Sequence, residues 1–318
     1  MLSRQAKVLG KEGLKKVGKA RVCIVGLGSI GSPMAQMLAR SGVGWLKLID
    51  RDYVEPPNMD SQLYSAGDIG NAKAEACRSR IREINPDIKT EMLAVDLNSE
   101  TVSYLGGCDI IFDCTDNMAA RHVINEFCIK NSVPWVHSAA TRKECVCAPF
   151  VPGKACFACV YGEMKIGAET CDTEGLLMQT AVVVAGLASS LGLDMVLGKR
   201  VEAKLYRLSL ETMEFEGLSI RKNRHCTRCV KKRFESLEKP LSDHMICAGA
   251  CQLYRRRQDF NELHRRLPAG FEPKMFEGVF HIKNGRIEIS IFADGRAIVK
   301  NAKNLSEARS AYSKIIGD

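Results

Sequence analysis

A chain of 318 residues, 46% hydrophobic and 26% charged, is long enough for about two domains and rich enough in apolar residues for a sizeable core, which excludes a disordered or fibrous protein. The formal net charge of +9 is gathered around Arg221, Lys222, Arg224, Arg228, Lys231, Lys232 and Arg233, with Arg255, Arg256 and Arg257 following; such a cluster is either a solvated basic face or a surface that attracts anions, and without interleaved aromatics it argues against a nucleic-acid stacking platform. The segment 1–7 has no apolar signal-peptide core, and the 14 cysteines read as reduced thiols and metal ligands rather than a disulfide framework, so the expected compartment is the cytoplasm.

Along the chain, apolar runs at 21–26, 45–50, 89–95, 109–114 and 134–137 predict strands, with amphipathic helices between them starting near Gly31, Asn71, Asn98 and Met118. That alternation predicts an α/β fold with a doubly wound, mostly parallel sheet of Rossmann type. The apolar run 175–197 is interrupted by Gln179, Thr180, Ser189, Ser190 and Asp194 and reads as a buried or interface helix, not a membrane span. Shorter strands follow in 198–235. After Pro240 the pattern changes to a small α+β unit, so the expected domains are 1–235 and 240–318. Within the second, alternating stretches 278–283, 286–292 and 296–301 are joined by Asn284-Gly285 and Asp294-Gly295, which predicts a three-stranded meander. Asn304 and Glu307 form a capping-box pattern ahead of a last helix whose apolar face is Leu305, Ala308, Ala311, Tyr312, Ile315 and Ile316.

Two features carry chemistry. The first strand runs into Gly26-Leu-Gly28-Ser-Ile-Gly31, where glycines permit a tight turn, close approach of a phosphate and tight packing of helix on strand, while Asp50 at the end of the second strand is placed to accept hydrogen bonds from a ribose. Many dehydrogenases share this loop. Far fewer proteins combine it with two Cys-x-x-Cys pairs, Cys156/Cys159 and Cys226/Cys229, whose spacing suits a closed four-thiolate zinc site of structural type.

Three further stretches are unusual for a dehydrogenase: Arg51-Asp52-Tyr-Val-Glu-Pro-Pro-Asn58, Gly70-Asn-Ala-Lys73-Ala-Glu75 and Asp113-Cys-Thr-Asp116-Asn117-Met-Ala-Ala-Arg121. With them, the chain from Ser3-Arg4-Gln5 through Cys229 resembles the ubiquitin-activating-enzyme superfamily, in particular its ThiF- and MoeB-type adenylyltransferases. The stretch from Phe292 to Lys300 is similar to the C-terminal extension of some ThiF-type members. The resemblance implies ATP-dependent adenylation of the C-terminal glycine of a ubiquitin-like sulfur carrier ending in Gly-Gly, followed by replacement of AMP by sulfur for thiamine, molybdopterin or thiolated-tRNA synthesis.

By the same resemblance, Gly26, Gly28, Gly31, Asp50, Asp52, Asn58, Lys73, Asp116 and Asn117 would hold Mg-ATP. Asp50 would bind the ribose, Asn58 and Lys73 the phosphates and Asp116 magnesium. Arg4 would reach into the partner subunit's site in a homodimer, and Cys171 would take part in sulfur transfer with a donor such as a cysteine desulfurase or a rhodanese-like protein. One departure stands out. The run Asn58-Met-Asp-Ser61-Gln62 reads one residue short before Leu63 and lacks an arginine that the family directs at the ATP phosphates, so either another base such as Arg51 substitutes or ATP use is weaker. Other readings are activation of a different carboxylate, as in a tRNA-modifying dehydratase or a peptide-modifying enzyme, and a non-catalytic carrier-binding scaffold. The cysteine pairs disfavour the dehydratase, and Lys73 with Asp116 disfavours the scaffold.

Overall fold

The computed structural model describes residues 3–162, 174–245, 250–267, 271, 273–276 and 278–316. Its first sheet has eight strands: β1 (Arg21–Val25), β2 (Trp45–Ile49), β3 (Lys89–Leu93), β4 (Ile110–Asp113), β5 (Trp135–Thr141), β6 (Glu144–Phe150), β7 (Lys204–Ser209) and β8 (Glu214–Ser219). They lie in the order β3-β2-β1-β4-β5-β6-β7-β8. The pairings β2–β3, β1–β2, β1–β4 and β4–β5 are parallel, and those from β5 to β8 are antiparallel. The doubly wound sheet expected from the sequence is present, extended by an antiparallel flank.

Strand periodicity divides the core in two. Val22, Ile24, Leu46, Leu48, Ile110, Phe112 and Val136 point to one face, where they meet Met34 and Leu38 of the Gly31–Arg40 helix, Cys77 and Ile81 of the Lys73–Ile84 helix, and Ala181, Val184 and Ala188 of the Met178–Val196 helix. Cys23, Val25, Ile49, Ile111 and Trp135 point to the other face and meet Val123, Ile124 and Cys128 of the Met118–Asn131 helix and Phe157. Strands buried on both faces read as continuous apolar runs, and each fully buried large aliphatic side chain contributes about 1.5–3 kcal/mol. The Met178–Val196 helix is long and apolar enough, by length and composition alone, to cross a membrane. Its packing accounts for that apolarity: a Cβ added at Gly192 would stand 2.1 Å from the Phe112 ring, so helix and sheet are in close contact.

One expected helix is replaced by a turn. Near Asn98 only the short 3₁₀ segment Val102–Leu105 forms. The Asn98 Oδ1 accepts from the N–H groups of Glu100 at 3.0 Å and Thr101 at 3.2 Å, and Thr101 Oγ1 donates to the Asp96 carbonyl at 2.6 Å. Side-chain bonds of this kind compete with the helical ladder, and Gly106-Gly107 then ends the segment.

The second sheet contains β9 (His244–Met245), β10 (Cys251–Tyr254), β11 (Lys274–Phe276), β12 (Val279–Asn284), β13 (Ile287–Phe292) and β14 (Arg296–Lys300), in the antiparallel order β11-β12-β13-β14-β10-β9. The predicted meander is β12 to β14, and the sequence reading missed β9, β10 and β11. One face packs Leu253, Phe280, Ile289, Ile291 and Val299 against Ala308, Tyr312 and Ile315 of the Leu305–Ile316 helix. At the start of that helix the Glu307 N–H donates to Asn304 Oδ1 at 2.9 Å, while the Glu307 carboxylate accepts from the N–H of Lys303. The other face sets Ala250, Val279, Phe292 and Ile298 against Tyr53 and Ala72 of the first sheet's β2-to-helix crossover. That contact brings the second sheet to the edge of the glycine loop's crevice.

Candidate nucleotide site and metal centre

The crevice lies past the carboxyl ends of β1, β2 and β4, where the strand order reverses and open α/β sheets take their ligands. Gly26 has φ +86°, and a Cβ there would stand 2.6 Å from the Cys114 carbonyl oxygen. A Cβ on Gly31 would stand 1.9 Å from the Gly26 carbonyl oxygen, so this glycine lets the helix start directly on the strand. Gly28 is different: the nearest atom to an added Cβ is Gln62 Nε2 at 3.9 Å, which leaves an open cradle beside the loop. The Gly31–Arg40 helix has no side-chain cap at its N-terminus, which favours an anion there.

Around this cradle stand the residues the sequence singled out. Asp50 is buried, and its Oδ2 accepts the Leu27 N–H at 2.5 Å while its Oδ1 accepts the Asp52 N–H at 2.7 Å. Burial pushes the Asp50 carboxyl up, as does the charge of Asp52, against the pull of Lys73. For Asp52, burial is outweighed by Lys73, Arg51, Arg296 and Lys300, which hold its carboxyl below the usual range. Lys73 opens its helix, is buried, and places Nζ 3.9 Å from Asp52 Oδ2. Asn58 Oδ1 accepts the Glu55 N–H at 2.9 Å, which fixes the Pro56–Asp60 turn. Asn117 Oδ1 caps the Met118–Asn131 helix through the Ala120 N–H at 2.8 Å. Its neighbour Asp116 remains half exposed at the crevice mouth.

Two groups take on roles that the sequence left open or unassigned: Arg51, named only as a base that could substitute for the missing arginine, and Asp113. The Arg51 guanidinium reaches across the crevice, with Nη1 3.7 Å from Asp96 Oδ1, Nη2 3.7 Å from Asp116 Oδ1 and Nε 3.9 Å from Asp52 Oδ1. Burial opposes its charge, but Asp52, Asp116, Asp96 and Asp50 together hold it firmly protonated. Beneath the β4 end, Asp113 is fully buried and accepts from His137 Nδ1 at 2.7 Å and Thr115 Oγ1 at 2.6 Å. Burial raises the Asp113 carboxyl, but these partners and Arg121 bring it below its ordinary value, so the turn leading to Asp116 is anchored on a carboxylate. Both groups open stretches quoted from the sequence, but Asp96 and Asp116 beside Arg51 and His137 beside Asp113 arrive from other elements, which a local pattern does not show.

The other two predicted residues stand apart. Arg4 is exposed in the Ser3–Lys19 helix and has no hydrogen bond or ion pair to a site residue among the described residues. Cys171 lies outside the described residues.

The four cysteines converge. Cys156 Sγ lies 3.8 Å from Cys159 Sγ and 3.7 Å from Cys226 Sγ, and Cys159 Sγ lies 3.5 Å from Cys229 Sγ. All four sulfurs fall within 4.8 Å of one another. Thiolates at about 2.3 Å from a tetrahedral zinc would be about 3.8 Å apart, so the donor set and its spacing fit such an ion. The second pair is tied to the Met118–Asn131 helix by Arg228, which is buried and places Nε 2.7 Å from Glu126 Oε1, so this arginine leaves the basic surface cluster expected from the sequence.

The ThiF family model matches residues 2–229. The sulfur carrier protein ThiS adenylyltransferase of Bacillus subtilis (strain 168) is 30% identical over 324 residues, covering 97% of this chain and 96% of that protein, so the likeness extends through the second sheet. The molybdopterin-synthase adenylyltransferase of Escherichia coli (strain K12) is 33% identical over 226 residues, covering 69% of this chain and 90% of that protein. Among solved structures, Escherichia coli MccB with ATP matches with a TM-score of 0.61 at 21% identity, covering 68% of this chain and 69% of that one, a likeness of fold alone. The chain belongs to the ThiF family.

Proposed function

We propose that this chain is an adenylyltransferase that uses Mg-ATP to activate the C-terminal glycine of a ubiquitin-like sulfur carrier, releasing pyrophosphate. The observation that carries the reading is the gathering of the open Gly28 cradle, Lys73 and Asp116 around one crevice, in a chain similar along nearly its whole length to a ThiS adenylyltransferase.

In this reading the glycine-loop amides and the helix N-terminus receive the phosphates, and Asp50 receives the ribose through the lone pairs its backbone bonds leave free. Magnesium, held by Asp116, would neutralise charge on the triphosphate. Lys73 faces the negative charge that grows as the carrier carboxylate displaces pyrophosphate, where a fixed cation in a partly dry site is most effective. Asn58 orients the phosphates, with Asp52 and Asn117 holding Lys73 and Asp116 in place. Zinc on Cys156, Cys159, Cys226 and Cys229 is structural, because four protein ligands leave no open position.

Arg4 acts from the partner subunit of a homodimer, a role tested by mixing inactive Arg4→Ala and Asp116→Ala proteins and looking for restored activity. Cys171 takes part in sulfur transfer after adenylation, with a cysteine desulfurase or rhodanese-like protein as the donor.

The function is tested by incubating the protein with Mg-ATP and a purified carrier ending in Gly-Gly. Intact mass spectrometry should show the carrier gaining AMP only when the protein is present. A carrier of unchanged mass, with ATP intact, would reject the reading.

A further inference from the structure

The second sheet does more than cover the first: it presents buried polar side chains to the nucleotide crevice. On β10, Gln252 is fully buried and its Nε2 donates to Asp96 Oδ2 at 3.0 Å, while the Tyr254 hydroxyl donates to the same oxygen at 2.7 Å. Asp96, thus fixed, turns its other oxygen, Oδ1, toward Arg51 Nη1 at 3.7 Å. On β14, Arg296 is only 2% exposed. Its guanidinium lies over the Phe292 ring at 3.9 Å from the centroid, and its Nη2 donates to the Arg51 carbonyl oxygen. The Arg51 backbone is therefore held by β14 and its side chain is directed by a carboxylate that β10 holds.

The Arg51 head group is arranged for a ligand. It stands at ion-pair distance from Asp52, Asp96 and Asp116 yet makes no hydrogen bond among the described residues. A guanidinium presents five N–H donors in a planar fork suited to phosphate oxygens. Three carboxylates keep it charged and held near the centre of the crevice without saturating those donors. Its Nη2 stands 3.7 Å from Asp116 Oδ1, beside the residue that would hold magnesium on the triphosphate.

We propose that the second sheet is a working part of the nucleotide site: Gln252, Tyr254 and Arg296 position Arg51, and the Arg51 guanidinium binds the phosphate chain of ATP. The proposal rests on the adenylyltransferase reading for the identity of the nucleotide. Arg51 touches substrate; the three residues of the second sheet act through it.

The test is calorimetric titration of the full chain with a non-hydrolysable ATP analogue plus magnesium and, separately, with adenosine, which has no phosphates. A charge-assisted hydrogen bond contributes about 1.5–3 kcal/mol, so Arg51→Ala should weaken the ATP analogue about 10- to 150-fold and leave adenosine unchanged, with Arg51→Lys recovering part of the loss. Tyr254→Phe, which removes one hydroxyl, should weaken the analogue severalfold without lowering the melting temperature, and should add nothing in the Arg51→Ala background because both changes act on one contact. Equal losses for analogue and adenosine, or an Arg51→Ala protein that binds the analogue as the wild type does, would overturn the phosphate contact. A Tyr254→Phe protein with lower melting temperature and unchanged analogue affinity would reduce the second sheet to a buttress. No carrier is present in these titrations, so failure of the sulfur-carrier reading would appear separately, as a missing carrier adenylate.

Discussion

At the scale of single residues, the glycine loop separates a binding role from a folding role. Gly28 has open space around it, with Gln62 Nε2 at 3.9 Å the nearest atom to an added Cβ, whereas Gly31 would drive a Cβ to 1.9 Å from the Gly26 carbonyl oxygen. Gly28→Val should therefore keep the melting temperature within a few degrees while reducing ATP affinity at least tenfold, because the side chain fills the cradle where a phosphate would lie. Gly31→Val should cost several kcal/mol of stability, since backbone rather than a flexible side chain has to move. Denaturant melts of the two variants, read beside their ATP affinities, separate the roles; a Gly28→Val protein with wild-type affinity would put the phosphates elsewhere. The loop's part was legible in the sequence because its glycines act within six consecutive residues. Arg51 was legible only as one base that could substitute for the missing family arginine: its partners Asp96 and Asp116 arrive from the ends of other strands, and the Arg296 that binds its carbonyl is 245 residues away.

At the scale of elements, local patterns were read correctly where they were self-contained. The strands β1, β2 and β4 announce themselves as short apolar runs, and the β12–β14 meander by its Asn284-Gly285 and Asp294-Gly295 turns. The helix expected at Asn98 was misread because Asn98 and Thr101 spend their side chains on neighbouring backbone groups. Strands β9 and β11 are only a few residues long and gain their place from neighbours remote in sequence, which periodicity does not reveal.

Two elements lend themselves to measurement. The cysteine knuckle should carry about one zinc per chain, and Cys226→Ser should lower the melting temperature sharply, since structural zinc binding contributes on the order of 10 kcal/mol to the folding of small domains. Loss of the ion would also loosen the segment that places Arg228 on the buried Glu126. Elemental analysis without zinc, or unchanged melting of Cys226→Ser, would contradict this.

The join between the sheets should respond to acid. His281 packs edge-on against Tyr53 at 4.1 Å between ring centroids, and burial, reinforced by Lys300, lowers its pKa from 6.5 to about 4. Above the unfolded value both states are neutral at this site and its contribution is fully present. As the pH falls from 6.5 towards 4, the unfolded chain takes up a proton that the folded chain resists, so stability declines by about 1.4 kcal/mol per pH unit. Between pH 6.5 and 5 the wild type should therefore lose about 2 kcal/mol more than His281→Gln in urea titrations. Equal losses would show that His281 titrates as freely in the folded protein as in the unfolded one.

At the scale of the whole molecule, one sheet supplies the loop, lysine and carboxylates of a candidate nucleotide site, a second sheet packs against its β2-to-helix crossover, and a four-cysteine cluster joins the Met118–Asn131 helix through Arg228 and Glu126. The ThiF family model ends at residue 229, yet the likeness to the Bacillus subtilis relative continues through the second sheet. The chemistry proposed for the crevice is adenylation of a carrier carboxylate before any sulfur chemistry takes place. Exchange of labelled pyrophosphate into ATP, measured with a Gly-Gly-ending carrier, reads that step itself. Exchange should require both carrier and magnesium, be abolished by Asp116→Ala and survive Cys171→Ala; exchange that persists in Asp116→Ala, or disappears in Cys171→Ala, would contradict adenylation at this crevice as the first step.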